Sequence, residues 1–302
     1  MSDTTASLRR KIDMAGDLRS VVHAMKGLAA ANIEQHRQSG LALGDYARTV
    51  ELGLTVCFRD GGAATARGGA ASGGTAAPAV GAIVFGSDQG LVGQFNEVIA
   101  DEALAALAER PGEHRVWAVG ERVHTRLVEA GLQVEGLFPV PSSVSAITPL
   151  VGQLLVEGEA RHSSGEIGEL HLFYNRPTQG SGYEPARHRL LPLDDAWRIE
   201  LAARPWPTKS LPEVPGYGTR TLQAFLDEYL FVSLFRACAE SLASENASRL
   251  AAMQRAEKNI DDLLETLNRT FHRVRQSGID EELFDVITGF EASQSGAAPG
   301  GS

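Results

Sequence analysis

Residues 242–274 read LASENASRLAAMQRAEKNIDDLLETLNRTFHRV. Leu242, Asn246, Arg249, Met253, Ala256, Ile260, Leu263, Leu267, Thr270 and Val274 follow one another in alternating steps of four and three, and seven of these ten are apolar. A 3.5-residue repeat keeps one helix face turned toward a partner helix and predicts a left-handed supercoil seam. Asn246, Arg249 and Thr270 loosen that seam, which a permanently locked zipper would not need. A helix over residues 218–288, at about 1.5 Å per residue, is about 100 Å long, far more than one compact domain requires.

The N-terminal arm carries a matching pattern at Leu8, Ile12, Ala15, Leu18, Val22, Met25, Ala29 and Asn32, with one short step. Gly16, Gly27, Gly40 and Gly44 each weaken a helix by about 1 kcal/mol relative to alanine, so pattern rather than propensity carries this arm. Two such seams in one chain pair most economically with each other, antiparallel. Proline placement agrees: of thirteen prolines none falls in residues 1–77 or 216–298. Proline breaks helix interiors, so two helical arms flank a proline-punctuated middle.

That middle alternates strand-like and helix-like runs. VGAIVFG, RVWAVG, LQVEGLFPV, GELHLFYNRP and RHRLLPLD read as strands; the runs beginning at Asn96, ERVHTRLVEAG and SAITPLVGQLLVEGEA read as helices. Such alternation implies right-handed crossovers and a mostly parallel sheet, the last strand turned antiparallel through TQGSGYEP. The expected class is α/β, a Rossmann-like domain flanked by a long antiparallel coiled coil. The expected divisions are an N-terminal coiled-coil helix at 1–58, a Gly/Ala loop at 59–78, the α/β domain at 79–215, a C-terminal coiled-coil helix at 216–290 and a disordered tail at 291–302. The loop RDGGAATARGGAASGGTAAP has too little apolar surface to order itself.

The chemistry of the chain is sparse. A net charge of −10 argues against nonspecific nucleic-acid binding, which draws on Lys and Arg neutralising phosphates. Cys57 and Cys238 stand in neither CxxC nor zinc-finger spacing and read as two buried thiols of a reducing compartment. No signal-peptide or membrane-spanning run is present, which places the protein in the cytoplasm unless a partner carries it to a membrane. The eight histidines show no HxxxH or HExxH spacing, the serines no GxSxG elbow, and the pairs Asp194-Asp195 and Asp261-Asp262 sit in polar surroundings.

The stretch most suggestive of a ligand is FGSDQGLVGQFNEVIA, residues 85–100, a glycine turn between a strand and a helix. A P-loop requires GxxxxGK[ST] and a dinucleotide fingerprint GxGxxG. Here Gly86, Gly90 and Gly93 come without the lysine, the hydroxyl or the third glycine. We read a tight turn in which Gly90 and Gly93 permit close backbone packing, with no cofactor and no metal. A nucleotide-dependent enzyme with coiled-coil arms and a coiled-coil adaptor remain alternatives on these residues alone.

Three segments in order change the weight. LRRKIDMAGDLRSVVHAMKGLAAANIEQ, SDQGLVGQFN and ASENASRLAAMQRAEKNIDDLLETLNRTFHRVRQSGIDEELFDVITG resemble the opening helix, hallmark turn and closing helix of the gamma subunit of F-type ATP synthases. The resemblance spans residues 7–290. It implies a rotating central stalk that couples ion flow through a membrane ring to ATP synthesis or hydrolysis in the beta subunits, with no catalytic residues of its own. It implies alpha and beta subunits of the catalytic hexamer, the epsilon subunit and the membrane c-ring as partners, and no nucleic acid. The cytoplasmic face of a bacterial plasma membrane is the implied location. By residue-to-residue match, Met25 with Lys26, the pair Arg275 and Gln276, and Glu282 fall where the family touches beta. Gly27, Gln89 and Gln94 replace residues common in the family, pointing to a divergent, alternate ion-translocating branch.

Overall fold

The computed structural model describes residues 4–59, 78–110, 112–178, 182–210 and 219–295. The expected loop at 59–78 and tail at 291–302 fall for the most part outside these residues. In chain order the elements are α1 (Thr5–Arg59), β1 (Ala79–Phe85), α2 (Phe95–Ala108), β2 (His114–Val119), α3 (Glu121–Glu129), β3 (Val134–Phe138), α4 (Val144–Ser163), β4 (Ile167–Pro177), β5 (Tyr183–Leu191), α5 (Asp195–Ala203) and α6 (Thr219–Ser295).

The strands form one sheet ordered β3-β2-β1-β4-β5. The first four are parallel, and β5 returns antiparallel beside β4, as the sequence predicts. β1 is buried along its whole length, which is why AVGAIVF lacks the polar alternation of a one-sided strand. On one face, Ile99, Ala100, Ala103 and Leu107 of α2 pack with Val123 and Leu127 of α3 against Val84, Val116 and Phe173. On the other, Val50 and Leu54 of α1, Ile147 and Leu154 of α4, and Leu226, Leu230 and Leu234 of α6 close over Ile83, Phe85 and Leu172.

α5 is an element the sequence pattern does not reveal. The Asp194 carboxylate caps it, accepting a hydrogen bond from the Trp197 amide at 2.9 Å. That cap holds the carboxyl below its usual range. Trp197 then packs its ring on Tyr229 (centroids 5.0 Å apart) and edge-on to Phe58 (5.8 Å). The Asp194-Asp195 pair ahead of Ala196-Trp197 was the available signal. Only Cys238 is buried, its thiol pushed up by burial, whereas Cys57 is half-buried, which corrects the expectation of two buried thiols.

The chain divides into two compact units: residues 28–252, which hold the sheet, and a two-helix unit of residues 1–27 with 253–302. In the two-helix unit the helices run antiparallel, fixed by an Arg19–Asp261 ion pair at 2.7 Å and by Glu257, which takes both Lys26 and His23. Leu8, Ala15, Val22, Met253 and Ile260 form its buried seam. Two of the expected seam positions do not face inward. Leu263 is 49% exposed, and Leu264 turns inward instead; Leu18 is 53% exposed beside the ion-paired Arg19. Met253, Ile260, Leu267 and Val274 keep the seven-residue step on the inner side, with Leu264 and Phe271 between them in place of Leu263.

Candidate functional site: a closed switch point and a surface of two helices

In a sheet ordered 3-2-1-4-5 the chain steps outward from β1 and then returns on its other side, so the topological switch lies between β1 and β4. Ligands of open α/β sheets bind in the crevice outside the carboxyl ends of the strands there. In this protein side chains of β4 and α6 bond to the backbone of the glycine turn and α2 near that position. Asn175, at the end of β4, donates from Nδ2 to the Phe95 carbonyl at 2.9 Å. Ser244 of α6 donates to the Asn175 carbonyl at 3.0 Å, and Ser248 donates to the Val92 carbonyl. Phe95 is fully buried with its ring 5.5 Å from that of Tyr183. Glu245 and Arg249 complete the plug as an ion pair of 2.6 Å. Burial holds the Glu245 carboxyl above the usual range, Arg249 pulls it down, and the nearby Asp88 adds to the rise.

The glycine turn is wired to itself and to α3. Ser87 donates its backbone N–H to Asn96 Oδ1 and accepts Asn96 Nδ2 at Oγ, both at 2.9 Å. Asp88 accepts the Glu121 amide at the N-terminus of α3 (3.1 Å) and the Val140 amide after β3 (2.9 Å). A helix N-terminus at a strand's carboxyl end is where a phosphate usually sits. Here a carboxylate of the chain itself has taken it.

The close packing in the turn is not at Gly90, where an added Cβ would find nothing nearer than Arg122 at 3.7 Å. It is at Gly86, where a Cβ would lie 2.3 Å from Val123 Cβ, and at Gly120, where it would strike the Ser87 backbone at 2.8 Å. Gly93 serves the turn through its backbone angle, since its φ of +59° is left-handed, a region glycine enters without strain. Sequence reasoning missed Asp88, Asn175 and Ser244 because their partners lie 33 to 80 residues away. Among the described residues no three His, Cys, Asp or Glu side chains gather as metal ligands would.

The residues matched to beta contacts do not converge. Met25 and Lys26 are half-buried on α1, and the Lys26 ammonium is already bonded to Glu257. Its hydrogen bond and that of His23 hold the Glu257 carboxyl below its usual range. Arg275, Gln276 and Glu282 are exposed on α6. Fourteen residues back along α1 from Arg19 is Thr5, and fourteen on along α6 from its partner Asp261 is Arg275. Past that point α6 has no α1 residue across from it among the described residues, and Ile279, Leu283, Phe284, Val286 and Ile287 stand 45–69% exposed.

A family model described as ATP synthase matches residues 4–292. The ATP synthase gamma chain of Syntrophobacter fumaroxidans is 28% identical over 302 residues, covering 96% of this chain and 98% of its own. That of Parafrankia sp. is 27% identical, covering 98% and 100%. A chain in the cryo-EM structure of the Euglena gracilis mitochondrial ATP synthase (OSCP/F1/c-ring, rotational state 3) superposes with a TM-score of 0.65 at 15% identity, over 99% of this chain and 97% of that one. A filled nucleotide-type sheet with two long antiparallel helices thus marks an ATP synthase subunit, and the chain belongs to that family. Within the family its place is the gamma subunit, the non-catalytic central stalk and a peripheral part of a membrane-bound complex. None of the described helices is long and apolar enough to cross a membrane.

Proposed function

We propose that this chain is the shaft within a hexamer of alpha and beta subunits, turned by ion flow through a membrane c-ring and pushing each beta subunit through its nucleotide states. The observation that carries this reading is the end of α6. Five large apolar side chains there lie bare, interleaved with Asp280, Glu281, Glu282 and Asp285. An uncovered apolar surface of this kind marks a protein interface, and the mixture of apolar and acidic groups suits a bearing that slides rather than locks. Met25, Lys26, Arg275, Gln276 and Glu282 are the beta contacts in this reading, and Gly90 with Gly93 forms only the domain turn. An ammonium has three donors, so Lys26 can keep Glu257 and still reach a beta carboxylate. The helices at 1–58 and 216–290 serve the hexamer, and the domain at 79–215 faces the c-ring and epsilon subunit at the cytoplasmic side of a bacterial plasma membrane.

Co-expression with alpha and beta subunits tests this. A complex with one copy of this chain per hexamer is expected; failure to assemble removes the proposal. In the complex, Arg275→Ala with Gln276→Ala lowers ATPase turnover or coupling, while the helicity of the free chain is unchanged. Unchanged turnover and coupling would remove those two contacts from the site.

A further inference from the structure

Within the larger unit, α1 and α6 do not close on each other along their whole contact. Gly40 and Gly44 of α1 and Ala239 and Ala243 of α6 line a hollow of about 470 Å³. A Cβ added at Gly40 or Gly44 would meet no heavy atom within 4 Å. Two helices with four small residues at their contact ordinarily approach until backbones touch. Here the space is kept, and it falls within the roughly 300–1,000 Å³ of small-molecule sites.

The lining is basic in a chain that is acidic overall. Arg37, Arg48, Arg176 and Arg236 surround the hollow, against Asp45 and Glu240 as the only carboxylates of its lining among the described residues. Arg37 and Arg176 each also bond a carboxylate outside the lining, Glu34 and Glu184. Arg236 uses Nε for Glu240 at 2.7 Å, and Arg48 stands 4.0 Å from Asp45, beyond hydrogen-bond reach. The guanidinium groups therefore retain unused donors. The His36 ring also lines the hollow; it is 4% exposed, burial keeps it neutral by lowering its pKa, and its Nδ1 has no hydrogen-bond partner among the described residues. A second chamber of about 250 Å³ adjoins the first, sharing Arg176 and Arg236 and adding Tyr174, Tyr229 and Arg187.

We propose that the hollow between α1 and α6 binds a phosphate-class dianion, held by Arg48 and Arg236 with Arg37 and Arg176 at its rim. A guanidinium presents N–H pairs matched to two phosphate oxygens, which a single ammonium cannot do. The excess of arginine over carboxylate at the wall suits a doubly charged head group. The second chamber leaves room for a small organic tail, so the source is either inorganic phosphate or a phosphate monoester. A ligand there would bridge α1 to α6 and stiffen the pair, linking a metabolite level to the mechanics of the helices.

The test is thermal unfolding of the full chain titrated at constant ionic strength with inorganic phosphate and, separately, with glycerol phosphate. Specific binding raises the midpoint in proportion to the logarithm of ligand concentration. Tighter binding of the ester assigns the site to organic phosphates; equal binding assigns it to free phosphate. Arg48→Gln, at a side chain 76% exposed, weakens binding about tenfold, or 1.4 kcal/mol. Gly44→Leu fills the hollow, favours the helix, and abolishes binding. No midpoint shift with either ligand at millimolar concentration overturns the proposal. So does a shift that Arg48→Gln and Gly44→Leu leave undiminished, since it would arise elsewhere on the chain.

Discussion

The sheet-bearing unit and the two-helix unit use opposite means to hold their shape. In the first, Ile83, Phe85, Phe95 and Leu230 are almost wholly buried, and even its polar groups (Asn96, Asn175, Ser244) direct their hydrogen bonds inward. In the second, a thin seam is latched by ion pairs at its edge, one exposed and one half-buried, and much of the apolar surface stays bare. The first has a single packing solution. The second is built so that another molecule can supply the rest of its packing.

If this contrast is right, truncating Phe95 to alanine costs about 3–5 kcal/mol, measured by denaturant unfolding, because the plug cannot collapse into the space left. Gly86→Ala comes next, at about 3 kcal/mol, since the new Cβ at 2.3 Å from Val123 must push β1 and α3 apart. Asp88→Ala leaves the Glu121 and Val140 amides without their acceptor and costs about 1–3 kcal/mol. A cost below that range would mean water replaces the carboxylate and the turn is not closed.

Acid should separate the two units further. His36, His171 and His188 of the larger unit all have pKa values lowered mainly by burial. Their contribution is fully present above the ordinary histidine value near 6.5 and is lost as pH falls through that value toward the lowered ones. The unfolding midpoint should therefore drop between pH 7.5 and 5.5, and His171→Gln with His188→Gln should flatten that slope; an unaltered slope would point elsewhere. The Glu257 carboxyl, lowered by Lys26 and His23, contributes above the ordinary glutamate value of 4.5 and loses its effect only at lower pH. The smallest effect expected is that of Glu257→Gln at neutral pH, because a pair still open to solvent at the edge of the seam is screened by water and salt. A clear fall in the midpoint would show that the latch matters more than its exposure allows.

The legible part of this fold was what repeats locally. Buried parallel strands appear as unbroken apolar runs, and the helical seams appear as steps of three and four. What escaped was set by distant partners. Leu18 and Leu263 fit a heptad on paper, but the facing helix decides which positions turn inward: Leu8, Ala15 and Val22 are buried at steps of seven while Leu18 faces out, and Leu264 is half-buried where Leu263 is exposed. Gly90 looked like the closest approach because it lies in the motif; Gly86 is the one that meets Val123, a residue 37 positions on. Whether Met25 or Arg275 touches another subunit is invisible in both sequence pattern and isolated fold, since the partner supplies half of that geometry.

Asp88 has a consequence for the company this subunit keeps. The other members of such a complex work amid abundant ATP, ADP and phosphate, and a stalk that bound them at its own sheet would change shape with the state of the fuel. With a negative charge already seated on the Glu121 amide of α3 and the Val140 amide after β3, an incoming phosphate meets repulsion where it would need donors. The protein keeps the topology of a nucleotide-binding sheet while its own carboxylate occupies amides that a phosphate would need at that turn.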